Sequence, residues 1–188
     1  MKILGGQLKG RNFYMPAEIP PTQNVVRKAV FDILGDISGM DFLELFAGSG
    51  AVGFEGFSRG AKTVTLVEHD PHCVEVIQGN LKLLGIEYSG SHSDPLMIIP
   101  ADAFVSIKQL AKKNKKYDIV FLDPPFGSGL GKKALNALRA YDILHPNCFL
   151  LIQVEKNEIL PKQEGRFHLV REKKYGASHL AVYEGSTR

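Results

Sequence analysis

Asp123-Pro124-Pro125-Phe126 closes a short apolar run, Tyr117 to Leu122, rich in β-branched and aromatic residues. The run predicts a buried strand. Proline cannot donate to a sheet ladder, so the strand must stop at Asp123. What remains is a stiff loop at a strand's carboxyl end, where open α/β sheets keep their chemistry. Such a turn suits methyl transfer to an exocyclic amine of a nucleobase. That nitrogen's lone pair is delocalised into the ring, which makes it a poor nucleophile. Two acceptors on its hydrogens favour a pyramidal nitrogen and stabilise the positive charge that develops there. The Asp123 carboxylate is one acceptor. The Pro124 carbonyl, fixed by the restricted φ of Pro124 and Pro125, is the other. Phe126 offers a ring face that holds the base in line. The base must leave its stack to enter. The competing reading is a rigid strand-ending turn with no chemistry.

A second group lies upstream. Leu43-Glu44-Leu45-Phe46-Ala47-Gly48-Ser49-Gly50-Ala51-Val52-Gly53 contains a literal G-x-G-x-x-G. Alone this motif is weak, and it fits a nicotinamide-dinucleotide site, with Glu68 on the ribose, or an empty tight turn. Glu44 favours another cofactor. S-adenosylmethionine (SAM) carries an ammonium and a sulfonium but no phosphate, so an acid beside the turn suits it better than a pyrophosphate. Glu68 ends the strand-like TVTLVE and can accept from both ribose hydroxyls. Asp102 follows LMIIPA and can accept from the adenine amine, with the Ala103 amide near the ring. Singly, each acid also reads as a helix-start carboxylate favoured by the macrodipole. Three acids at the ends of three consecutive strands share one edge of the sheet.

The elements that must position these residues alternate along the chain. Strands are expected at Phe42–Phe46, Thr63–Glu68, Leu96–Pro100, Tyr117–Leu122 and Phe149–Val154. Helices are expected near 53–59, 71–84, 104–113 and 132–141, with Asp70-Pro71 starting the second and Gly85 ending it. Phe167–Lys174 and Leu180–Glu184 read as a closing antiparallel pair around Gly176. This order predicts an α/β fold, a doubly wound and mainly parallel seven-stranded sheet with a C-terminal antiparallel pair. Before it, Ile3–Leu4 and Asn12–Met15 flank glycines and predict a small N-terminal hairpin. Met15–Thr22 reads as a linker, and Asn24 as the cap of an amphipathic helix over Val25–Leu34. The expected division is therefore 1–22 for hairpin and linker and 23–188 for the main domain.

Composition narrows the class. The 188 residues are 44% hydrophobic and 23% charged, ordinary for a soluble globular protein. No apolar run approaches a membrane span, and MKILGGQLKG has no long apolar leader region. The two cysteines, Cys73 and Cys148, form no metal spacing and fit a reducing cytoplasm. The net charge of +3 is compatible with nucleic acid.

ELFAGSG, the acid of LVEHD, the acid of PADAF and LDPPF stand in the order and spacing of SAM-dependent amino-methyltransferases. ILGGQLKGRNF, PPTQNVVRKAVFDIL and KKYGASHLAVYE narrow the match. Over nearly its whole length the chain resembles the bacterial 16S rRNA guanine-N2 methyltransferase family. The resemblance implies a Rossmann-like class I fold. It implies SAM contacts at Glu44, Phe46, Gly48, Gly50, Glu68, Asp102 and Ala103, and base binding and catalysis by Asp123, Pro124, Pro125 and Phe126. Lys9, Arg11 and Arg27 are implied to meet RNA. The implied partner is 16S rRNA in a small ribosomal subunit or an assembly intermediate, the implied state a monomer in the cytoplasm, and no metal is implied. Pro20-Pro21-Thr22 replaces the family's Arg-Pro-Thr, Gln23-Asn24-Val25 a more charged run, and Ala177 a common acid.

Other features have simpler readings. Lys112, Lys113, Lys115 and Lys116 precede a strand and belong at the sheet's amino edge, away from the site. Arg171, Lys173 and Lys174 are further RNA candidates. His69 and His72 flank the Asp70 cap. Adenine N6 remains an alternative target for the same turn, as does a non-catalytic SAM- or RNA-binding role in ribosome assembly.

Overall fold

A computed structural model describes residues 1–16, 24–91 and 93–186. The expected linker with Pro20, Pro21 and Thr22, the expected boundary at residue 22, and Gln23 lie outside the described residues. Five parallel strands form the centre: β1 (Asp41–Leu45), β2 (Thr63–Glu68), β3 (Leu96–Pro100), β4 (Tyr117–Leu122) and β5 (Leu144–Glu155). Three antiparallel strands complete one edge: β6 (Gln163–Glu164), β7 (Phe167–Tyr175) and β8 (Ser178–Gly185). The order is β3-β2-β1-β4-β5-β8-β7-β6 in a single eight-stranded sheet. The sequence pattern predicts seven strands. The eighth, β6, is a two-residue rung opposite Phe167 and His168, too short and too polar to leave a pattern. β5 also starts five residues earlier than expected, because Pro146 and the left-handed Asn147 (φ 60°) interrupt its apolar run.

Strand alternation sorts the core into two layers. Phe42, Leu66, Phe121, Leu151 and Leu180 face the first, with side chains of α1 (Asn24–Leu34), α2 (Ala51–Ser58) and α3 (Pro71–Leu84). Leu43, Val67, Val120, Leu122 and Ile152 face the second, with α4 (Ala103–Lys112) and α5 (Leu130–Ala140). α3 forms where its local signals say it should: Asp70 accepts from the His72 amide at 2.8 Å, Pro71 opens the helix, and left-handed Gly85 ends it.

The N-terminal segment is knitted to this domain. Its pairing is one bridge, Lys2 to Asn12, and it forms no full strand. Ile3 and Phe13 are each only 2% exposed and belong to the first layer. The Leu4 amide donates to Glu55 Oε2, the Leu8 amide to Ser58 Oγ, and Tyr14 exchanges two hydrogen bonds with Asn80. At Gly6 (φ +75°) an added Cβ would lie 1.8 Å from the Ser58 carbonyl oxygen, so only glycine allows this approach.

The chain proceeds from β1 outward to β2 and β3, then returns to place β4 on β1's other side. The carboxyl ends of β1 and β4 therefore flank the point where strand order reverses, which is where open sheets open a crevice.

Candidate functional site

β1 delivers Glu44 to that crevice, and the chain then turns sharply. Phe46 (φ 61°), Gly48 (φ 55°) and Gly50 (φ 73°) are all left-handed. Phe46 carries that conformation without being glycine, a strain of the kind that collects at ligand sites. The Ala47 amide donates to the Val67 carbonyl at 3.0 Å, which ties the loop to β2. Glu44 is 2% exposed and its Oε2 accepts from the Gly53 amide at 2.7 Å in the first turn of α2. A Cβ on Gly53 would sit 2.8 Å from that oxygen and 2.3 Å from Leu66 Cδ2, so the third glycine of the motif serves packing.

Glu68, at the end of β2, is 6% exposed. Its Oε2 accepts from the Gly48 amide at 2.7 Å and its Oε1 from the His69 and Asp70 amides. Glu68 thereby braces the glycine loop against the start of α3. Asp102 caps α4: its Oδ1 takes the Phe104 and Val105 amides at 2.9 and 3.0 Å. The exposed carboxylate's second oxygen is not needed for that cap. Ala103 is buried beside it. Phe46 packs edge-on against Phe104, with centroids 6.3 Å apart, and Lys133 Nζ lies 4.6 Å from the Phe104 ring centre.

On β4 the Asp123 amide reaches the Leu45 carbonyl at 3.5 Å, the last rung before the prolines. Asp123 is half-buried, Pro124 buried and Pro125 exposed, and Phe126 is 46% exposed. Ser128 Oγ donates to the Pro125 carbonyl at 2.5 Å, which fastens the loop without engaging the carbonyl of Pro124. The acids feel one another. Burial first, then the charges of Asp123 and Glu68, push the Glu44 carboxyl up to about 8 against the lowering pull of the Gly53 and Val52 amides. Two buried carboxylates and the half-buried Asp123, gathered beside a glycine turn, fit a small ligand carrying positive charge. That is the charge pattern of SAM.

The RNA candidates separate. Lys9 is exposed. Arg11 is exposed too, yet its Nη1 donates to the Leu84 carbonyl at 2.7 Å and helps close α3. Arg27 corrects the expectation: it is 0% exposed and cannot present its guanidinium to RNA at the surface. Its Nη2 donates to the Lys2 carbonyl, its Nε lies 3.6 Å from Glu55 Oε2, and Glu55 also binds Arg59 at 2.8 Å. Burial pulls the Arg27 pKa down while Glu55 and Glu44 hold it up. Arg27 therefore pins the N-terminal segment to α2.

Lys115 and Lys116 lie at the sheet's amino end, where they line a cavity of about 190 Å³ with Asp41, Thr63 and Tyr117. Asp41, Asp118 and His145, at the same end, have ligand atoms within 4.8 Å of one another and form the metal-compatible group among the described residues. Asp41 Oδ1 already accepts from Thr63 Oγ1 and Asp118 Oδ2 from the Asp41 amide, so the group closes the strand ends, far from Asp123. Gln153 of β5, which belongs to no sequence motif, is a buried polar residue only 4% exposed.

A family model described as conserved hypothetical protein 95 matches residues 1–184. The chain belongs to this family. Among relatives of this conserved hypothetical protein 95 chain, Ribosomal RNA small subunit methyltransferase D of Buchnera aphidicola is 36% identical over 165 residues, covering 85% of this chain and 82% of that protein. The Escherichia coli protein of the same name is 31% identical over 187 residues, covering 98% and 89%. A solved hypothetical protein of Thermus thermophilus superposes with TM-score 0.82 at 27% identity, covering 97% of this chain and 98% of that one.

Proposed function

We propose that the protein transfers a methyl group from SAM to the exocyclic N2 amine of a guanine in 16S rRNA. One observation carries the reading: the DPPF turn opens at the strand-order reversal within electrostatic reach of the buried acids of the glycine loop. The names of its relatives support the small-subunit rRNA substrate.

Bound SAM supplies an electrophilic methyl on a sulfonium. Glu44 and the glycine turn from Phe46 to Gly50 would hold its amino-acid end, Glu68 the ribose and Asp102 with Ala103 the adenine. The protein's own work is at the acceptor. Phe126 gives a flipped base a face to stack on. Asp123 and the Pro124 carbonyl accept the two amine hydrogens, turn the nitrogen lone pair out of conjugation and stabilise its growing charge. The amine's surplus proton leaves after transfer, with Asp123 beside it. Pro125 and Ser128 keep the turn from relaxing. Lys9 and Arg11 are the proposed RNA contacts on the N-terminal segment, and Arg27 supports them only by holding that segment in place. A ribosomal substrate puts the working protein, as a monomer, in the cytoplasm; no helix among the described residues is long and apolar enough to cross a membrane.

Asp123→Ala tests the assignment. The variant should bind SAM like the parent in calorimetry and lose roughly 100- to 1000-fold in turnover. Turnover within a few fold of the parent would remove Asp123 from the chemistry and favour a binding role in assembly.

A further inference from the structure

Gln153 belongs to no motif, yet the sheet register sets it next to the DPPF turn. The β4–β5 register pairs Phe121 with Leu151 and Leu122 with Ile152. One step further sets Gln153 beside Asp123, on neighbouring strands about 4.8 Å apart. Alternation puts both on the face of Phe121 and Leu151, and Gln153 lies opposite Leu180 of that same layer. Its Oε1 is buried with no hydrogen-bond partner among the described residues. Buried polar atoms are nearly always paired, so an orphan acceptor one strand away from the DPPF turn points to a ligand donor. The Asp123 carboxylate favours the donating Nε2 edge of a neighbouring amide, which leaves Oε1 as the end offered elsewhere.

We infer that Gln153 selects guanine by accepting its N1–H through Oε1 while Asp123 takes the adjacent amine. This rests on the guanine-N2 reading above and supplies the discrimination that the DPPF turn lacks. Guanine presents two donors side by side there, N1–H and the C2 amine. Adenine presents its amine beside a bare N1 lone pair, which would face Oε1 and leave it unpaired. A site that must hydrogen-bond its substrate rejects the analogue lacking that donor.

The test uses 2-aminopurine, which keeps the C2 amine but has no N1–H. Label from SAM is first mapped on small-subunit particles with the parent protein. Label on an adenine would overturn the guanine reading itself, and the inference with it. With a guanine mapped, that nucleotide is replaced by 2-aminopurine in reconstituted particles and kcat/KM is compared for the two. The parent should prefer guanine by roughly 10- to 100-fold, the range a two-point base contact provides. Gln153→Leu should bind SAM normally and slow guanine methylation while leaving 2-aminopurine methylation nearly unchanged, so that the preference shrinks by about tenfold. Gln153→Glu, which keeps an acceptor, should retain it. A Gln153→Leu variant slowed equally on both bases, with the preference intact, would overturn the inference and leave Gln153 a packing residue.

Discussion

Glu44 joins burial and charge in one carboxyl group, and the cofactor contact proposed for it draws on both. Its pKa rises from an ordinary 4.5 to about 8 in the fold. Between those values the folded protein keeps a proton that the unfolded chain has released. By linkage, the resulting stabilisation is fully present below the unfolded pKa and is lost as pH rises through about 8. Thermal denaturation without cofactor should therefore show the midpoint falling between about pH 5 and 8, and Glu44→Gln should flatten that fall. An equally steep fall in the variant would assign the proton elsewhere. A cationic ligand favours ionised Glu44, so binding near neutral pH should release a proton. Calorimetry in buffers of different ionisation enthalpy measures that release, which Glu44→Gln should abolish. Sequence makes Glu44, Glu68, Asp102 and Asp123 visible because they end strands. The burial of Arg27 is invisible there because its partners come from distant segments: the Lys2 carbonyl and Glu55 of α2. Arg27→Ala should cost about 3 kcal/mol in chemical denaturation, the lower end for breaking a buried pair, since Arg59 still partners Glu55. RNA affinity of the folded fraction should fall only as far as the released N-terminal segment lets Lys9 and Arg11 drift.

At the scale of elements, the βαβ order is legible from short apolar runs, glycine turns and the Asp70-Pro71 start. The first half of β5 is not, because Pro146 and Asn147 hide its periodicity. Nor is β6, whose two polar residues are recruited by the hairpin leading into β7. The glycines of the N-terminal segment announce a turn, but how closely it binds α2 depends on contacts no local pattern encodes. Two glycines there separate close approach from conformation. Gly6→Ala meets the Ser58 carbonyl and should cost about 1–3 kcal/mol by overpacking. Gly10 (φ +84°) has nothing within 4 Å of an added Cβ, so Gly10→Ala should cost only about 1 kcal/mol for its left-handed backbone. Equal losses would mean that the Ser58 contact does not constrain the segment.

For the whole molecule, a net charge of +3 gives RNA binding a modest electrostatic component. Exposed Lys9, on a segment fixed to the domain, should act as one phosphate contact. Lys9→Ala should lower the salt dependence of binding to small-subunit particles by a slope of about 0.7–0.9 while leaving methylation of bound particles intact. An unchanged slope would move the RNA path off this face. Strand order also explains why separate motifs make one site: residues from β1, β2 and β4 converge only because the sheet reverses between β1 and β4. The most direct measurement of the central claim is mass-spectrometric mapping of the methyl group added to unmodified small-subunit particles. A single new methyl on the N2 amine of one 16S guanine, absent with Asp123→Ala, is the predicted result. A methyl on a ring carbon, a ribose hydroxyl or an adenine would contradict it.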